Sequence, residues 1–366
     1  MKNISYLFIT VFLLSCNQNA SMSERSEPIP QYYLVGSYTQ TEEHGIYLLR
    51  LDAGNGEITS IDLAVPSVNP SFLSLAGNHL LAVNELNGRD GTVTSYYIDN
   101  RILRLFPVDT ISAKGIAPCF IETNPRGTSG VVANYGTGNV IQFGIESDGT
   151  FSEQVREEQH SGSGPNAGRQ EGPHAHSIRY HPSKPLIFAA DLGIDAIKVY
   201  DLQLNEYSEI PLAAGSGPRH IEFNEAGDLM YVINELNSTI SVIQILSGTE
   251  FKELQTISTL PDGFSGENYC ADIHLDSSGK YLLGSNRGHD SIVSFAIDGE
   301  GLLSDAQWVT EEVNWPRNFA LTPDGNWLLV ANQKSNSISV FSYKDGKATF
   351  RSKSEVHAPV CIVQKP

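Results

Sequence analysis

Two histidines precede a predicted strand near the middle of the chain, and their spacing limits the chemistry available there. In Glu171-Gly-Pro-His-Ala-His176, a turn rich in Gly and Pro leads His174 and His176 into an alternating segment, and the next apolar run ends at Asp191. Two imidazoles at this spacing face the same side of a strand but lack a carboxylate as third ligand, so we expect no metal ion.

The same layout recurs along the chain with other polar residues in place of the histidines. When the chain is aligned on itself, an anchor residue starts each such segment, and the anchors lie about 48 residues apart, the spacing of propeller blades. The anchors are Pro70, Pro118, Ala175, Pro218, Cys270, Pro316 and Pro359.

Two positions of this repeat vary from unit to unit and mark the candidate site. The first directly follows the anchor and is occupied by Ser71, Cys119, His176, Arg219, Ala271, Arg317 and Val360. The second follows the polar residue that ends the next strand and is occupied by Glu85, Tyr135, Leu192, Glu235, Arg287 and Gln333. In an antiparallel blade the first strand leaves one face and the second returns to it, so both positions lie near the channel at that face.

We expect the polar members of these positions to form one cationic mouth, outside the core. The residues expected to converge there are His176, Arg219, Glu235, Arg287, Arg317 and Gln333, flanked by His174, His220, Asp272 and His274. Three arginines in a chain of formal charge −18 suit a small anionic ligand. The alternative is that each arginine pairs with a neighbouring carboxylate and only seals the channel.

The residue that ends the second strand is nearly constant, which indicates a structural role. It is Asn84, Asn134, Asp191, Asn234, Asn286 or Asn332, and we expect these side chains to hydrogen-bond turn backbone. Two long Gly-rich loops, 160–174 and 261–269, lead into first strands from the same face and are expected to overhang the mouth.

The patterning of the whole chain predicts an all-β fold. The patterning has period two throughout, with no long segment of period 3.6, and each unit reads as a four-stranded blade. The chain enters in the middle of a unit, because Tyr32-Tyr-Leu-Val-Gly36 resembles a second strand with no first strand before it. The segment Pro359-Val-Cys-Ile-Val363 supplies that strand, so the sequence predicts a seven-bladed β-propeller whose first blade is closed by the C-terminal strand.

The composition and the N-terminus indicate where the protein acts. The 366 residues contain 24 Lys and Arg against 42 Asp and Glu, which argues against nucleic acid as a partner. Lys2 and a short apolar run ending in Leu13-Leu-Ser-Cys16 match the pattern of a lipoprotein signal peptide, expected over residues 1–16 with Cys16 as the lipidated residue. Residues 17–30 then read as a flexible tether and 31–366 as the propeller. We expect export and a lipid anchor on a bacterial membrane, periplasmic or outer-membrane side; the alternative is a plain signal peptide.

The other cysteines, Cys119, Cys270 and Cys361, each lie near the start of a predicted inner strand. They have neither the number nor the spacing of a disulfide framework or a metal site. We expect three free, buried thiols and no cofactor.

Several segments together resemble the seven-bladed lactonase propellers, the family of the bacterial 6-phosphogluconolactonases and the fungal carboxymuconate cyclases. They are Gly164-Pro-Asn-Ala-Gly-Arg-Gln-Glu-Gly-Pro-His-Ala-His176, Gly217-Pro-Arg-His220, Asn234-Glu-Leu-Asn237, Ala271-Asp-Ile-His274, Ser285-Asn-Arg-Gly288, Pro316-Arg317 and Ala331-Asn-Gln333. The resemblance implies a catalytic set of His174, Arg219, Glu235 and Arg287.

The function expected from this resemblance is hydrolysis of a sugar-acid lactone, most like 6-phosphogluconolactone. Glu235 or His174 would accept a proton from the attacking water, and Arg219 and Arg287 would stabilise the oxyanion and hold the anionic group of the substrate. The residues His176, His220, Asp272, His274, Arg317 and Gln333 would contribute to substrate binding. Alternatives are a non-enzymatic binding or scaffold lipoprotein and a lactone-forming cyclase of the carboxymuconate type.

Overall fold

Seven four-stranded antiparallel sheets form the blades of a β-propeller. The computed structural model describes residues 30–246 and 249–365. Blade 1 consists of β1 (Pro30–Ser37), β2 (Gly45–Asp52), β3 (Glu57–Pro66) and, as its innermost strand, β28 (Pro359–Lys365). The prediction that the C-terminal strand closes the first blade is therefore confirmed. The predicted signal peptide and all but the last residue of the predicted tether lie outside the described residues.

Each of the other six blades is a run of four consecutive strands. Blades 2 and 3 are β4 (Pro70–Ala76), β5 (His79–Asn84), β6 (Asp90–Asp99), β7 (Arg104–Ile116), and β8 (Pro118–Thr123), β9 (Ser129–Asn134), β10 (Asn139–Ile145), β11 (Phe151–Gln159). Blades 4 and 5 are β12 (Ala175–Tyr180), β13 (Leu186–Asp191), β14 (Ala196–Asp201), β15 (Glu206–Pro211), and β16 (Pro218–Phe223), β17 (Leu229–Asn234), β18 (Thr239–Ile245), β19 (Phe251–Ser258). Blades 6 and 7 are β20 (Tyr269–Leu275), β21 (Tyr281–Arg287), β22 (Ser291–Ile297), β23 (Leu303–Val309), and β24 (Pro316–Leu321), β25 (Trp327–Asn332), β26 (Ser337–Lys344), β27 (Lys347–Glu355).

The first strands surround the central channel. Each contacts the first strand of the next blade, and the ring closes where β28 contacts β4. Every predicted anchor residue opens its strand or lies one residue inside it, so the repeat was aligned correctly. Among the described residues, no helix has the length and apolar character needed to cross a membrane.

The core is divided into clusters between neighbouring blades. One apolar cluster fills each of the seven interfaces, including the interface between blade 7 and blade 1. In that last cluster, Tyr33 and Val35 of β1 pack against Leu329 and Val340 of blade 7. Because apolar side chains cover both faces of every sheet, the blades stack into a rigid ring that fixes the channel residues in place.

The nearly constant residue at the end of the second strands has the predicted structural role. Asn134 Nδ2 donates to Ala113 O at 2.9 Å, and Asn286 Nδ2 donates to Thr259 O at 3.0 Å. Asn234 bonds instead to hydroxyls of the adjacent third strand. In each case the Nδ2 group of the buried asparagine finds an acceptor in its own blade or in the chain segment that leads into it.

Candidate functional site

A β-bulge interrupts the first strand of all seven blades at the residue after the anchor. Where β8 pairs with β9, Pro118 lies opposite Asn134 but Phe120 lies opposite Ala133, so Cys119 is skipped. The register shifts at the corresponding place in β4, β12, β16, β20, β24 and β28. A bulge re-aims the extra side chain and is common beside active sites. The first variable position of the repeat is therefore a bulge position, and it bears the residues that enter the channel mouth.

The bulges and the ends of the second strands border a pocket of about 350 Å³. Its walls are Tyr38, Glu85, Cys119, Tyr135, Arg169, His176, Glu235, Tyr269, Arg287, Trp315 and Arg317. Of the residues predicted to converge, His176, Glu235, Arg287 and Arg317 line this pocket. The expected convergence of the two variable positions is thus present for these four residues.

Glu235 is the centre of an ion-pair network at the floor of the pocket. Its Oε2 accepts from Arg219 Nε at 3.0 Å and from Arg287 Nη2 at 2.8 Å, and its Oε1 accepts from Arg169 Nη2 at 2.6 Å. Three guanidiniums against one carboxylate leave an excess of positive charge. The arginines therefore do more than neutralise neighbouring acids, because their shared acid balances only one of them.

This network determines the charge state of Glu235. Burial acts to raise the pKa of its carboxyl, but Arg287, Arg219 and Arg169 outweigh burial and lower the pKa to about 2. Burial lowers the pKa of Arg219, and the charges of Arg287 and Arg317 lower it further. A guanidinium stays protonated at neutral pH even so. The floor of the pocket thus carries a fixed anion within a group of fixed cations.

Arg219 and Arg287 are held by the backbone of one segment as well as by Glu235. Arg219 Nη1 donates to Ala271 O at 2.6 Å, while Arg287 donates to Tyr269 O at 3.2 Å and to Cys270 O at 3.1 Å. The exposed fractions of Arg219, Glu235 and Arg287 are 2%, 4% and 5%. The expectation that these mouth positions lie outside the core is wrong. Arg219 lies at the bulge of β16, and Glu235 and Arg287 lie at the ends of second strands, where the shared ion pairs hold all three side chains buried. Arg219 in particular lies behind Glu235 and does not line the pocket.

Arg317, in contrast to Arg219 and Arg287, is not held by hydrogen bonds among the described residues. Its guanidinium lies 5.2 Å from the centre of the Tyr38 ring, a cation–π distance. Within the described part of the chain its side chain makes no hydrogen bond and no ion pair. It lines the pocket with its donors available, so it is the arginine best placed to bind an anionic group of a ligand.

The two predicted histidines differ in position. His176 lines the pocket, and burial together with Arg219 and His220 lowers its pKa well below the usual value, so it is neutral. His174 does not line the pocket. Its ring stacks on Tyr135, with 4.6 Å between the ring centroids. Its Nδ1 lies 2.8 Å from Tyr135 O, so only Nε2 remains for other partners. His174 thus lies at the edge of the site, behind Tyr135.

Three other predicted residues lie deeper in the channel than expected. His220 Nδ1 lies 2.8 Å from Asp272 Oδ1, and His274 Nε2 lies 2.9 Å from Asp272 Oδ2. Arg219 Nη1 lies 3.2 Å from His220 Nε2. This contact connects the hydrogen-bonded residues His220, Asp272 and His274 to the Glu235 network. None of the three lines the pocket. They can orient Arg219, but the structure does not bring them into the pocket itself.

Gln333 also stays outside the pocket wall. Its Oε1 is buried with no hydrogen-bond partner among the described residues. Trp315 lines the pocket instead. Its backbone has a φ of 53°, and its N donates to Asp290 Oδ1 at 2.9 Å. A left-handed conformation is costly for a bulky residue and is typically retained at functional sites.

Arg169 reaches the site from the Gly-rich loop 160–174. The loop is fixed at its start by His160, whose Nδ1 lies 2.6 Å from Asp191 Oδ2 and whose Nε2 lies 2.8 Å from Tyr200 Oη. Gln170, fully buried, donates to Leu192 O at 2.8 Å. The prediction that this loop overhangs the mouth is confirmed, because Arg169 forms one wall of the pocket.

Sequence reasoning missed several members of this site. Tyr135 and Cys119 occupied the variable positions without a distinguishing feature, whereas Glu85 had one, because Asn84-Glu-Leu-Asn87 repeats Asn234-Glu-Leu-Asn237. Arg169, Trp315 and Tyr38 lie in loops whose course the repeat does not fix, and Tyr269 is the first residue of β20. Cys119, Cys270 and Cys361 are free and buried, as predicted. Burial raises the pKa of the Cys119 thiol to about 12, so it is a protonated, unreactive wall residue. Within the described ranges, no three His, Cys, Asp or Glu residues are grouped to hold a metal ion.

Comparison with known proteins agrees with this architecture. Residues 32–364 match the family model described as lactonase, 7-bladed beta-propeller. The chain is 32% identical over 338 residues to 6-phosphogluconolactonase of Bacillus subtilis, covering 90% of this chain and 96% of that protein. It is 31% identical over 324 residues to 6-phosphogluconolactonase of Formosa agariphila, covering 84% of this chain and 91% of that protein.

A solved structure is similarly close. The periplasmic gluconolactonase PpgL of Pseudomonas aeruginosa superposes with a TM-score of 0.85 at 30% identity, covering 92% of this chain and 99% of that one. The family match covers residues 32–364, which span all seven blades. The chain belongs to the seven-bladed β-propeller lactonase family.

Proposed function

We propose that this protein is a hydrolase that opens a sugar-acid lactone carrying a negative charge, with 6-phosphogluconolactone as the first candidate substrate. The observation that carries this proposal is the pocket charge. Arg169, Arg219 and Arg287 share Glu235 as their one acid, while Arg317 has no ion-pair partner among the described residues. Such a site is complementary to an anion that develops or resides on the ligand.

The chemistry proposed is direct attack of water on the lactone carbonyl. The arginines at the floor are held by Glu235 and by backbone carbonyls, so they need not reorganise when negative charge appears on the carbonyl oxygen. Arg287 faces the pocket and is assigned to this oxyanion. Arg317 is assigned to the anionic substituent, and the aromatic walls of Tyr135, Tyr269 and Trp315 to the sugar ring.

A second substrate has its own support. The Pseudomonas aeruginosa relative is named a periplasmic gluconolactonase, and export of this chain, which we also propose, would place it where a phosphorylated sugar lactone is scarce. Unphosphorylated gluconolactone is therefore the second candidate. For this neutral ring Arg317 would lose its partner, so the two substrates differ in their dependence on one residue.

The experiment that tests the proposal is a pH-stat assay of purified protein, corrected for spontaneous opening. Substrates are 6-phosphogluconolactone, gluconolactone and a muconolactone, each with wild type, Arg317→Met and the exposed control Arg126→Met. We expect turnover of the phosphorylated lactone with a KM raised about tenfold or more by Arg317→Met, the scale of one charged hydrogen bond. Equal turnover of gluconolactone by wild type and Arg317→Met would select the second candidate. Turnover of the muconolactone alone would favour the cyclase, and no turnover at all would favour a binding or scaffold role.

A further inference from the structure

The pocket contains a second glutamate that arises from an exact repeat of four residues. Asn84-Glu-Leu-Asn87 follows β5 of blade 2, and Asn234-Glu-Leu-Asn237 follows β17 of blade 5. In both blades the asparagine pairs with the anchor proline of the first strand, and the glutamate after it lines the pocket. Two blades separate them on one side of the ring and three on the other. Glu85 and Glu235 therefore occupy equivalent positions of the repeat and lie on opposite walls of the pocket.

The two carboxylates have opposite surroundings. Glu235 binds three guanidiniums, as described above. Glu85 accepts from Tyr38 Oη, at 3.0 Å to Oε1 and 2.9 Å to Oε2, and in the described part of the chain no Lys, Arg or His lies within ion-pair distance of it. One phenol hydroxyl occupies only part of the acceptor capacity of a carboxylate. Glu85 thus has lone pairs available toward the pocket.

The groups that face Glu85 come from four elements. Tyr38 follows β1, Cys119 lies in β8, His176 in β12 and Arg317 in β24, and all of them line the same pocket. Burial and the Glu85 carboxylate raise the pKa of Tyr38, so this phenol remains a donor at neutral pH. Cys119 and His176 are neutral, which leaves Arg317, beyond the Tyr38 ring, as the nearest compensating charge. The carboxylate is held in one orientation without being neutralised by direct contact.

We infer that Glu85 is the catalytic residue that transfers the proton in lactone hydrolysis, with Tyr38 as the residue that positions it. This inference rests on the proposed function. Glu85 takes a proton from water as the water oxygen bonds to the lactone carbonyl carbon. The ring C–O bond then breaks, and the departing alkoxide takes the proton back from Glu85. Atoms and charge balance without a covalent intermediate.

Glu235 is poorly suited to this step. To accept a proton it would have to give up ion pairs to Arg169, Arg219 and Arg287, and its pKa of about 2 makes it a very weak base at neutral pH. Two carboxylates in one site whose charged neighbours differ commonly have different roles. Here Glu235 organises the cations and Glu85 moves the proton.

The test compares Glu85→Gln, Tyr38→Phe and a matched control, Glu267→Gln, an exposed glutamate in the loop that leads to Tyr269. The substrate is whichever lactone wild type hydrolyses in the pH-stat assay. We expect Glu85→Gln to lower kcat about a hundredfold or more with KM within a few fold, and to remove the acidic limb of the pH–rate profile. Tyr38→Phe should lower kcat less and displace that limb. Added formate should partly restore kcat to Glu85→Ala and leave wild type unchanged.

The outcomes distinguish a wrong role for Glu85 from a wrong proposed function. If wild type hydrolyses a lactone while Glu85→Gln keeps kcat within threefold and an unchanged pH profile, the role of Glu85 is wrong and the proposed function stands. If wild type hydrolyses none of the lactones, both are wrong. If Glu85→Gln does not fold, as judged by its melting curve, an unshifted profile in Tyr38→Phe overturns the inference.

Discussion

A buried carboxylate shared by three arginines ties activity to stability in this protein. Glu235 is nearly inaccessible, and its removal would leave Arg169, Arg219 and Arg287 without their common counter-charge. Breaking a buried ion pair by removing one partner costs more than the intact pair contributes, because the remaining charges are left desolvated. Substitutions at these positions should therefore be read in two assays at once.

Glu235→Gln should lower the free energy of unfolding by about 3 kcal/mol or more and lactone turnover by about a hundredfold. The folded pKa is lowered to about 2, so the stabilisation is present above the unfolded value of about 4.3 and is lost as pH falls toward 2. Urea unfolding of wild type and variant should show a constant gap from pH 5 to 8 that narrows in acid.

The same two assays applied to Arg219→Met and Arg287→Met separate an enzyme from a sealed channel. Loss of stability with turnover near the wild-type value in all three variants would contradict the site assignment.

His274 provides a pH test in the opposite direction. Burial disfavours its charged form, but Asp272 and Glu222 outweigh burial and raise the pKa to about 10. The folded state therefore binds this proton more tightly than the unfolded chain, so the stabilisation is complete below about 6.5 and is lost as pH rises toward 10. The difference in Tm between wild type and His274→Gln should be largest near pH 6 and shrink in alkali. A gap that stays constant or widens with pH would contradict this account.

At the scale of elements, the Gly-rich loop 160–174 depends on a few buried polar contacts. His160 lies between Asp191 and Tyr200, and it fixes the start of the loop that delivers Arg169. The apolar core does not hold this loop in place, so its position depends on these bonds. Loosening them should weaken substrate binding before it affects the chemical step.

Tyr200→Phe tests this dependence by removing one hydrogen bond of 2.8 Å. If the substrate-binding free energy falls by about 1 kcal/mol, the net value of one hydrogen bond, KM rises about fivefold, and kcat should stay close to the wild-type value. Tyr180→Phe is the matched control, because its hydroxyl bonds to Ser129 Oγ in the neighbouring blade. An effect of equal size in both variants would show that the loop is not specifically coupled to Tyr200.

At the scale of the whole molecule, the closure of blade 1 holds the ring together. β28 contributes Ile362 to the cluster between blades 7 and 1 and Cys361 to the cluster between blades 1 and 2. Deleting residues 359–366 would open both interfaces and expose the inner edge of β1. We expect a fall in Tm of about 10 °C or more, since several kcal/mol are lost and each shifts Tm by about 2–4 °C. Deletion of 365–366 alone is the control, and equal melting of the two truncations would contradict the closure argument.

The entry of the chain has a consequence for orientation. β1 begins at Pro30 and ends at Ser37, next to the pocket residue Tyr38, so Pro30 lies at the face opposite the pocket. We propose that a lipid on Cys16 leaves the pocket facing away from the membrane. Cys16→Ser should then move the protein from the membrane fraction to the soluble fraction with turnover unchanged. Membrane association that persists in this variant would contradict the anchor.

The all-β class, the seven blades, the closure by the C-terminal strand and the two variable positions could all be predicted from the sequence. These features depend on local patterns, because strand alternation and turn residues repeat at a fixed spacing. The anchor positions such as Pro118 and Pro218 matched the observed strand starts for this reason.

Which polar side chains meet, and how deeply they are buried, depends on the packing of the blades and could not be predicted. The contact between Arg169 and Glu235 joins a loop of irregular course to a strand end, and no spacing encodes it. The bulges set the depth of Arg219 and placed His220 and Asp272 below the pocket, against expectation. Ion pairing and proton affinity depend on distances of a few ångströms across the ring, and these arise from blade packing, whereas the repeat fixes only the position of each residue within its own blade.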